Sequence, residues 1–197
     1  MNFCSHCGAP VSLRIPEGDR LPRHVCDNCG AIHYQNPKIV AGCVAEWEGR
    51  ILLCRRAIEP RHGKWTLPAG FMENGETTAQ AAARETWEEA CAVVVGAPGT
   101  AAAATEAQGA DLSLFALVNV PHIHQVHLFY RGHLRDGRFA PGEESLETAL
   151  FAEDEIPWAE LAFRSVRFCL EAYLADRKRG AFGLHSCDLP PPPPEFL

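Results

Sequence analysis

Residues 70–92 read GFMENGETTAQAAARETWEEACA, a glycine-containing turn followed by an acidic, alanine-rich segment. Thr77 or Thr78 can cap a helix here, because a hydroxyl side chain accepts hydrogen bonds from the first free backbone N–H groups. Residues 79–90 contain neither glycine nor proline, the two residues that interrupt helices. The segment therefore predicts a turn that leads directly into one helix.

Three carboxylates of this helix are placed to share one face. Glu88 and Glu89 follow Glu85 by three and four residues, the spacing that brings helical side chains together. A solvated charged face is the alternative, but such a face needs opposing lysines or arginines, and the segment has only Arg84. Mg²⁺ suits this arrangement, because it binds a few carboxylates and completes its shell with water and substrate phosphates. Arg84 can pair with Glu88 or reach back to Glu76 and hold the turn against the helix.

This segment resembles the Nudix box, in which a glycine, a glutamate and an Arg-Glu pair precede two further glutamates at defined spacing. The positions that match are Gly70, Glu76, Arg84, Glu85, Glu88 and Glu89. The chain departs from the pattern at its aliphatic positions, which are Thr86 and Ala92, and at its last glycine, which is Cys91.

The resemblance extends along most of the chain, to a Nudix subgroup of plant diphosphatases acting on FAD and ADP-ribose and their bacterial relatives. The matching segments are YQNPK at 34–38, LLCRR at 52–56, HGKWTLPAG at 62–70, FAPGEESLE at 139–147 and EIPW at 155–158. The resemblance implies an α+β fold, the Nudix α/β/α sandwich around a mixed β-sheet, preceded by a small zinc ribbon. It also implies a homodimer.

The resemblance implies hydrolysis of the diphosphate in a dinucleotide-type small molecule, with FAD or ADP-ribose first, using Mg²⁺ or Mn²⁺. Glu85 and Glu89 would be the main metal ligands, assisted by Glu88 and the Gly70 carbonyl. An alternative is an NADH diphosphatase or a remover of NAD caps from RNA, but its Ser-Gln-Pro-Trp-Pro-Phe-Pro motif does not follow Ala92. Another is a non-catalytic nucleotide-sensing regulator, which the intact carboxylates disfavour.

Further site residues stay open between a functional and a structural role. Glu144 and Glu147 are the candidates for the general base, and solvated loop positions are the alternative for each. Arg55 or Arg56 could bind a substrate phosphate, but strand alternation lets at most one face the site. Trp65 could stack on an aromatic ring of the substrate or belong to the core.

Four cysteines form two Cys-x-x-Cys pairs, each followed by glycine. The pairs are Cys4 with Cys7 and Cys26 with Cys29. Such a doubled pair is typical of a tetrahedral site for structural Zn²⁺, whose four protein ligands leave no open position. Residues 13–15 and 24–25 would form the short hairpin of a zinc ribbon. We expect Cys43, Cys54, Cys91 and Cys169 to be small core residues.

Composition narrows the class of protein. The 197 residues are 47% hydrophobic and carry a net charge of −7, which disfavours a general nucleic-acid partner. No run approaches the about 18 apolar residues of a membrane helix, and the N-terminus lacks signal-peptide features. We expect a cytoplasmic protein with no membrane partner. Its predicted parts are a zinc ribbon at 1–34, a Nudix hydrolase domain at 35–180 and a C-terminal proline-rich tail at 181–197.

The remaining patterns predict secondary structure. Strands are expected at 38–47, 50–56, 92–95, 112–120 and 125–134, and a second helix that ends at Gly180. An alanine-rich insertion at 99–107 has no predicted structure. His122, His124 and His127 resemble a ligand set, but strand alternation turns His127 away from the other two, which favours ordinary surface or core histidines.

Overall fold

A computed structural model describes residues 1–96 and 111–192 of the chain, so the alanine-rich insertion lies outside the described residues. The chain divides into two compact units, Met1–Pro37 and Lys38–Leu197. The boundary falls three residues after the end that we predict for the ribbon. Neither helix within the described ranges has the length and apolarity that a membrane crossing needs.

The first unit is a three-stranded antiparallel sheet with two cysteine turns. Its strands are β1 (Val11–Arg14), β2 (Arg23–Cys26) and β3 (Ile32–His33), with β2 in the middle. Leu13 pairs with His24, which confirms the predicted hairpin. Gly8 and Gly30 close the two turns in the left-handed conformation, with φ of 73° and 72°. The unit is a zinc ribbon in its backbone.

The second unit is built on one mixed sheet of nine strands. They are β4 (Lys38–Trp47), β5 (Arg50–Arg56), β6 (Trp65–Thr66), β7 (Ala69–Phe71), β8 (Val94–Val95), β9 (Ser113–Val120), β10 (Gln125–Leu134), β11 (Ser145–Phe151) and β12 (His185–Asp188). The main path runs β11-β5-β4-β10-β9-β12, with β6 beside β5, β7 beside β4 and β8 beside β10. The pairs β4–β10 and β9–β12 are parallel and the others antiparallel. Three short 3-10 helices cover Pro121–Ile123, Glu153–Glu155 and Trp158–Glu160.

Two helices cover the two faces of this sheet. Helix α1 (Thr78–Ala90) packs through buried alanines, including Ala82, against a cluster that contains Cys43 and Tyr130. Helix α2 (Arg164–Arg179) packs against a second cluster that contains Phe129 and Val44. Successive residues of a strand point to opposite faces, so Phe129 and Tyr130 serve different helices. This confirms the predicted α/β/α sandwich.

The two ends of α1 are closed by different means. At the start, the hydroxyl of Thr77 accepts from the Gln80 N–H, and the Gln80 side chain accepts from the Thr77 N–H, which is a capping box. At the end, Cys91 adopts the left-handed conformation with φ of 48° and donates its N–H to the Trp87 carbonyl. Cys91 is exposed, so the core position that we predict for it is wrong. The pattern's glycine would fit this conformation without the clash of a β-carbon.

We expect Cys91→Gly to stabilise the protein by about 0.5–1 kcal/mol. The gain is smaller than the full cost of a left-handed L-residue, because glycine also loses more conformational entropy on folding. Cys91→Ala is the matched control, since it removes the thiol but keeps the β-carbon. The free energy of unfolding from urea titration checks this, and a glycine variant less stable than the alanine variant would contradict it.

The sheet extends further toward the C-terminus than we predict. Residues 181–197 were expected to form a separate tail, but His185–Asp188 pairs as β12 with β9. The carboxylate of Asp176, fully buried on α2, accepts from His185 Nε2 at 2.7 Å and from the Gly183 N–H at 2.9 Å, and it also pairs with Arg179. These bonds tie the strand to the helix, an interaction between segments that composition could not reveal.

We expect this tie to weaken in acid. The His185 hydrogen bond, followed by that of Gly183, lowers the pKa of Asp176 to about 2 from an ordinary value of 3.8. A lowered carboxyl pKa contributes stability above the ordinary value, and that stability is lost as pH falls from about 4 to about 2. Urea midpoints should therefore be lower for Asp176→Asn than for the wild type at pH 7, and the gap should narrow below pH 4. Asp154→Asn, at an exposed position, is the control, and a pH-independent gap would refute the assignment.

Candidate active site

Gly70 and Glu85 are in direct contact where β7 meets α1. A β-carbon added to Gly70 would overlap the Glu85 carboxylate, so any other residue here would require the Glu85 side chain to move. The strand is held by β4, in which Ala41 pairs with Gly70. The small alanines on the inner face of α1 let the helix lie close to the sheet. The result is a carboxylate pressed against the backbone at the start of the turn.

Arg84 connects three of the acidic side chains that the sequence singles out. Its Nε and Nη2 donate to both oxygens of Glu76, at 3.0 and 2.8 Å. Its Nη1 donates to Glu85 Oε1 at 2.7 Å and to Glu88 Oε2 at 2.8 Å, while Nη2 also reaches the Phe71 carbonyl at 3.0 Å. Glu76 in turn accepts from the backbone of the turn. Arg84 and Glu76 thus hold the turn against the helix.

Glu89 is a buried carboxylate of α1 whose charged form is disfavoured by its surroundings. It is 6% exposed, and its Oε2 is buried without a hydrogen-bond partner among the described residues. Burial, reinforced by the charge of Glu85, raises the pKa of Glu89 to about 8. Burial also raises the pKa of Glu85, against the opposing effect of Arg84. A buried carboxylate oxygen without a donor is a position where a cation would supply the missing partner.

A cavity of about 800 Å³ opens beside these residues. Its lining includes two guanidinium groups, Arg56 and Arg84, but seven carboxylates. The carboxylates belong to Glu59, Glu73, Glu85, Glu88, Glu89, Glu143 and Glu144. An anionic diphosphate would be repelled by this excess unless cations were bound with it. The unpartnered Glu89 oxygen and the hard oxygen donors around it fit Mg²⁺ or Mn²⁺.

The carboxylate oxygens that line the cavity do not converge on one point in this structure. Within the described ranges, the four ribbon cysteines are the one group of three or more candidate ligand atoms within 4.8 Å of one another. Arg84 holds Glu85 and Glu88 in ion pairs instead. Binding of a divalent cation at this site therefore requires the side chains of the glutamates to rotate away from Arg84. The ion pair between Arg84 and Glu76 would be kept.

A loop from β10 to β11 brings further carboxylates to the cavity. Ala140 and Gly142 donate their N–H groups to the Ala90 and Glu89 carbonyls, at 2.8 and 3.0 Å, which caps the end of α1. A β-carbon on Gly142 would overlap the Glu88 carbonyl oxygen. This close docking carries Glu143 and Glu144 into the lining.

Gly142→Ala should therefore damage both stability and activity. The backbone of α1 cannot yield to the added methyl, so we expect the loop to lift away, at a cost of about 1–3 kcal/mol. Displacing the carboxylates by about 1 Å would lower kcat about 100-fold. Gly183→Ala is the control, because a β-carbon there meets nothing within 4 Å. Equal kcat values for the two variants would show that the loop does not position the site.

Of the other site residues that the sequence predicts, some line the cavity and others do not. Arg56 lines it, with its guanidinium over the Phe163 ring at 5.1 Å. Arg55 faces away and pairs with Glu147 at 3.6 Å, and of the described residues neither is part of the lining. Trp65 packs edge-to-face on Phe151 at 4.9 Å, and it lies half-buried against the core cluster under α2, outside the cavity lining.

The cavity also contains residues that sequence reasoning did not select. His127, dismissed as an ordinary histidine, lines it together with Gln125 and Ser165. The three histidines do not share one strand, because His122 lies in a 3-10 helix and His124 in its left-handed cap. The only available signal was the polar spacing of Gln125 and His127 on one face of β10, and Ser165 is distant in sequence.

The ribbon cysteines meet as the sequence predicts. The Sγ atoms of Cys4 and Cys29 lie 3.8 Å apart, and those of Cys7 and Cys26 lie 3.5 Å apart. Thiolates at about 2.3 Å from a tetrahedral Zn²⁺ would be about 3.8 Å from one another. Backbone N–H groups of His6 and Cys29 donate to Cys4 and Cys26 Sγ. These four residues fit a structural Zn²⁺ with no open position.

Comparisons with known proteins agree with this architecture. The family model described as NUDIX domain matches residues 36–169, and the model described as Nudix N-terminal, a zinc ribbon, matches residues 2–35. The crystal structure of a NUDIX hydrolase from Nitrosomonas europaea is 50% identical and superposes with a TM-score of 0.83 over 96% of this chain and 100% of that one.

Two curated relatives are each named NAD-capped RNA hydrolase NudC. The one from Stutzerimonas stutzeri is 30% identical over 181 residues, which are 89% of this chain and 56% of the relative. The one from Chromobacterium violaceum is 41% identical over 88 residues, 44% of this chain and 31% of the relative. The chain thus spans about half the length, or less, of these relatives. From the family match over most of its length and the fold and site described above, the chain belongs to the Nudix hydrolase family and carries the family's N-terminal zinc ribbon.

Proposed function

We propose that this protein hydrolyses the diphosphate bond of a nucleoside diphosphate derivative with the help of Mg²⁺ or Mn²⁺. The observation that carries this is the buried, unpartnered Glu89 oxygen beside Glu85 in an acidic cavity. In the reaction, water adds to one phosphorus and the bridging P–O bond breaks, which yields two phosphomonoesters. When bound, the cation neutralises the diphosphate and lowers the pKa of the attacking water.

The residues of the chain divide the remaining tasks. Glu85, Glu88 and Glu89 would hold the cations, with the Gly70 carbonyl at the turn. Glu144 is proposed as the general base in preference to Glu147, because it lines the cavity while Glu147 pairs with Arg55. Arg56 would bind a phosphate, since it is the member of the arginine pair that faces the cavity.

For the substrate, we propose a nicotinamide adenine dinucleotide, either free or at the end of RNA. The names of the two NudC relatives favour this substrate over FAD or ADP-ribose. FAD and ADP-ribose remain the second candidates, because the NADH-diphosphatase motif does not follow Ala92. The homodimer that the resemblance implies is also a proposal, which the mass in solution by light scattering tests.

Turnover of a substrate panel tests the proposal. The protein with Mg²⁺ would be offered NADH, NAD-capped RNA, FAD and ADP-ribose, and the products separated by chromatography. We expect a nucleoside monophosphate from NADH, and no product in the presence of EDTA. Preference for FAD or ADP-ribose would reverse the substrate order. If none of the four compounds is hydrolysed in a metal-dependent reaction, the proposal is overturned.

A further inference from the structure

The cavity has a second region, built from the opposite face of the sheet. Gln125, His127 and Phe129 alternate along β10 and share one face, which packs against α2. The acidic region comes from α1, which packs on the other face, and from the loops beside it. Ile123, Phe163 and Val166 complete the second region with apolar surface. The cavity is therefore acidic on one side and apolar with a few polar groups on the other.

Three polar side chains in this region form one directed hydrogen-bond chain. His127 Nδ1 lies 3.0 Å from Ser165 Oγ, and His127 Nε2 lies 2.9 Å from Gln125 Oε1. An amide oxygen can only accept, so Nε2 carries the hydrogen and Nδ1 accepts from the serine hydroxyl. Ser165 is 2% exposed and anchors the chain. The amide NH₂ of the less buried Gln125 then remains as the donor at the cavity surface, with no bond to another described residue.

The charge of this region decides what it can bind. Burial lowers the pKa of His127 to about 4, so the imidazole is neutral at pH 7 and attracts no phosphate. Arg56 joins the two regions, because its guanidinium packs over the Phe163 ring and its positive charge opposes the rise in the pKa of Glu89. A ligand with its diphosphate near Arg56 would place an uncharged group against the apolar surface.

We propose that Gln125 is a specificity-determining residue that reads an uncharged, planar nitrogen heterocycle of the substrate, and that His127 and Ser165 are positioning residues for it. The proposal rests on the proposed function. The ring would contact Ile123 and Phe163, while the Gln125 NH₂ donates to an acceptor on the ring edge, either a ring nitrogen of adenine or the carboxamide oxygen of reduced nicotinamide. Fixing the amide through His127 removes the freedom to turn its oxygen toward the ligand, which makes the recognition selective for acceptors.

Gln125→Glu tests the proposal, because it keeps an oxygen that accepts from His127 and replaces the NH₂ donor with a charged oxygen. Gln125→Met removes the donor without adding charge and should raise KM as well, which separates the lost hydrogen bond from charge repulsion. We expect KM for NADH to rise about tenfold with kcat within about twofold of the wild type. ADP-ribose, which lacks nicotinamide, separates the two sources of the ring. A rise for both substrates indicates adenine, and a rise for NADH alone indicates nicotinamide.

His127→Phe keeps the size of the ring but removes both hydrogen bonds, so KM should rise about threefold, again without a change in kcat. His122→Gln is the control, because His122 is exposed and, within the described part of the chain, is not a lining residue. Unchanged KM in Gln125→Glu with both substrates would overturn the inference while leaving the proposed function intact.

Calorimetric binding of NADH and ADP-ribose keeps the inference testable if turnover fails. With Mg²⁺ present and Glu89 unchanged, Gln125→Glu should weaken binding of at least one ligand about tenfold relative to the wild type. Equal affinities, or no binding of either ligand in both proteins, would overturn the inference. Binding that depends on Gln125 but without turnover in the wild type would overturn only the proposed function.

Discussion

Glu89→Gln should abolish turnover while the protein stays folded. The amide keeps the shape of the side chain but loses the charge that a divalent cation needs, and metal stabilisation contributes several kcal/mol to such reactions. Since each 1.36 kcal/mol changes a rate tenfold, we expect kcat to fall about 1,000-fold or more. The free energy of unfolding should not fall, because the wild-type carboxylate is buried and its Oε2 has no partner among the described residues.

The measurement is steady-state turnover against Mg²⁺ and Mn²⁺ concentration, together with urea unfolding. Glu171→Gln, an exposed change of the same type on α2, is the control and should leave both unchanged. Activity at the wild-type level in Glu89→Gln would place the cations elsewhere. A variant that is inactive and also unfolded would assign Glu89 a structural role instead.

Removal of Zn²⁺ should unfold the first unit. Its 37 residues are close to the size, about 40 residues, below which domains depend on metals or disulfides. Within this fully described unit, the buried apolar residues are Cys4, Val25 and Cys26, so two of the three belong to the predicted Zn²⁺ site. Zn²⁺ binding to zinc-finger peptides supplies about 10–16 kcal/mol, and in a unit that folds only with its metal this is folding free energy.

Elemental analysis should find one Zn²⁺ per chain, and chelation or Cys26→Ser should collapse the amide NMR signals of residues 1–37. Signals of the Lys38–Leu197 unit should persist, since that unit has its own core. Cys187→Ser is the control, because Cys187 is outside the ligand cluster. Dispersed ribbon signals in metal-free protein would refute the zinc site.

The features that sequence reasoning predicted correctly depend on neighbours in the chain. Strand β10 was predicted at its observed bounds and α1 to within one residue, because alternation and capping act over a few positions. The β4–β5 hairpin is similar, since Glu48 and Gly49 adopt the positive φ that its tight turn requires. The arginine pair shows the limit: alternation predicts that only one faces the site, and the structure selects Arg56.

The sequence by itself determined the chemistry of this protein: the carboxylates of the acidic helix, the two cysteine pairs and the helix and strands that carry them. Each of these is encoded in spacing within about 25 residues. Only the tertiary structure decided that Trp65 packs against the core, that Glu144 rather than Glu147 reaches the cavity, and that His185–Asp188 completes the sheet. It also brought His127 to Ser165. These outcomes depend on strand register and on packing between distant segments, where many small contacts add up and no local pattern records their sum.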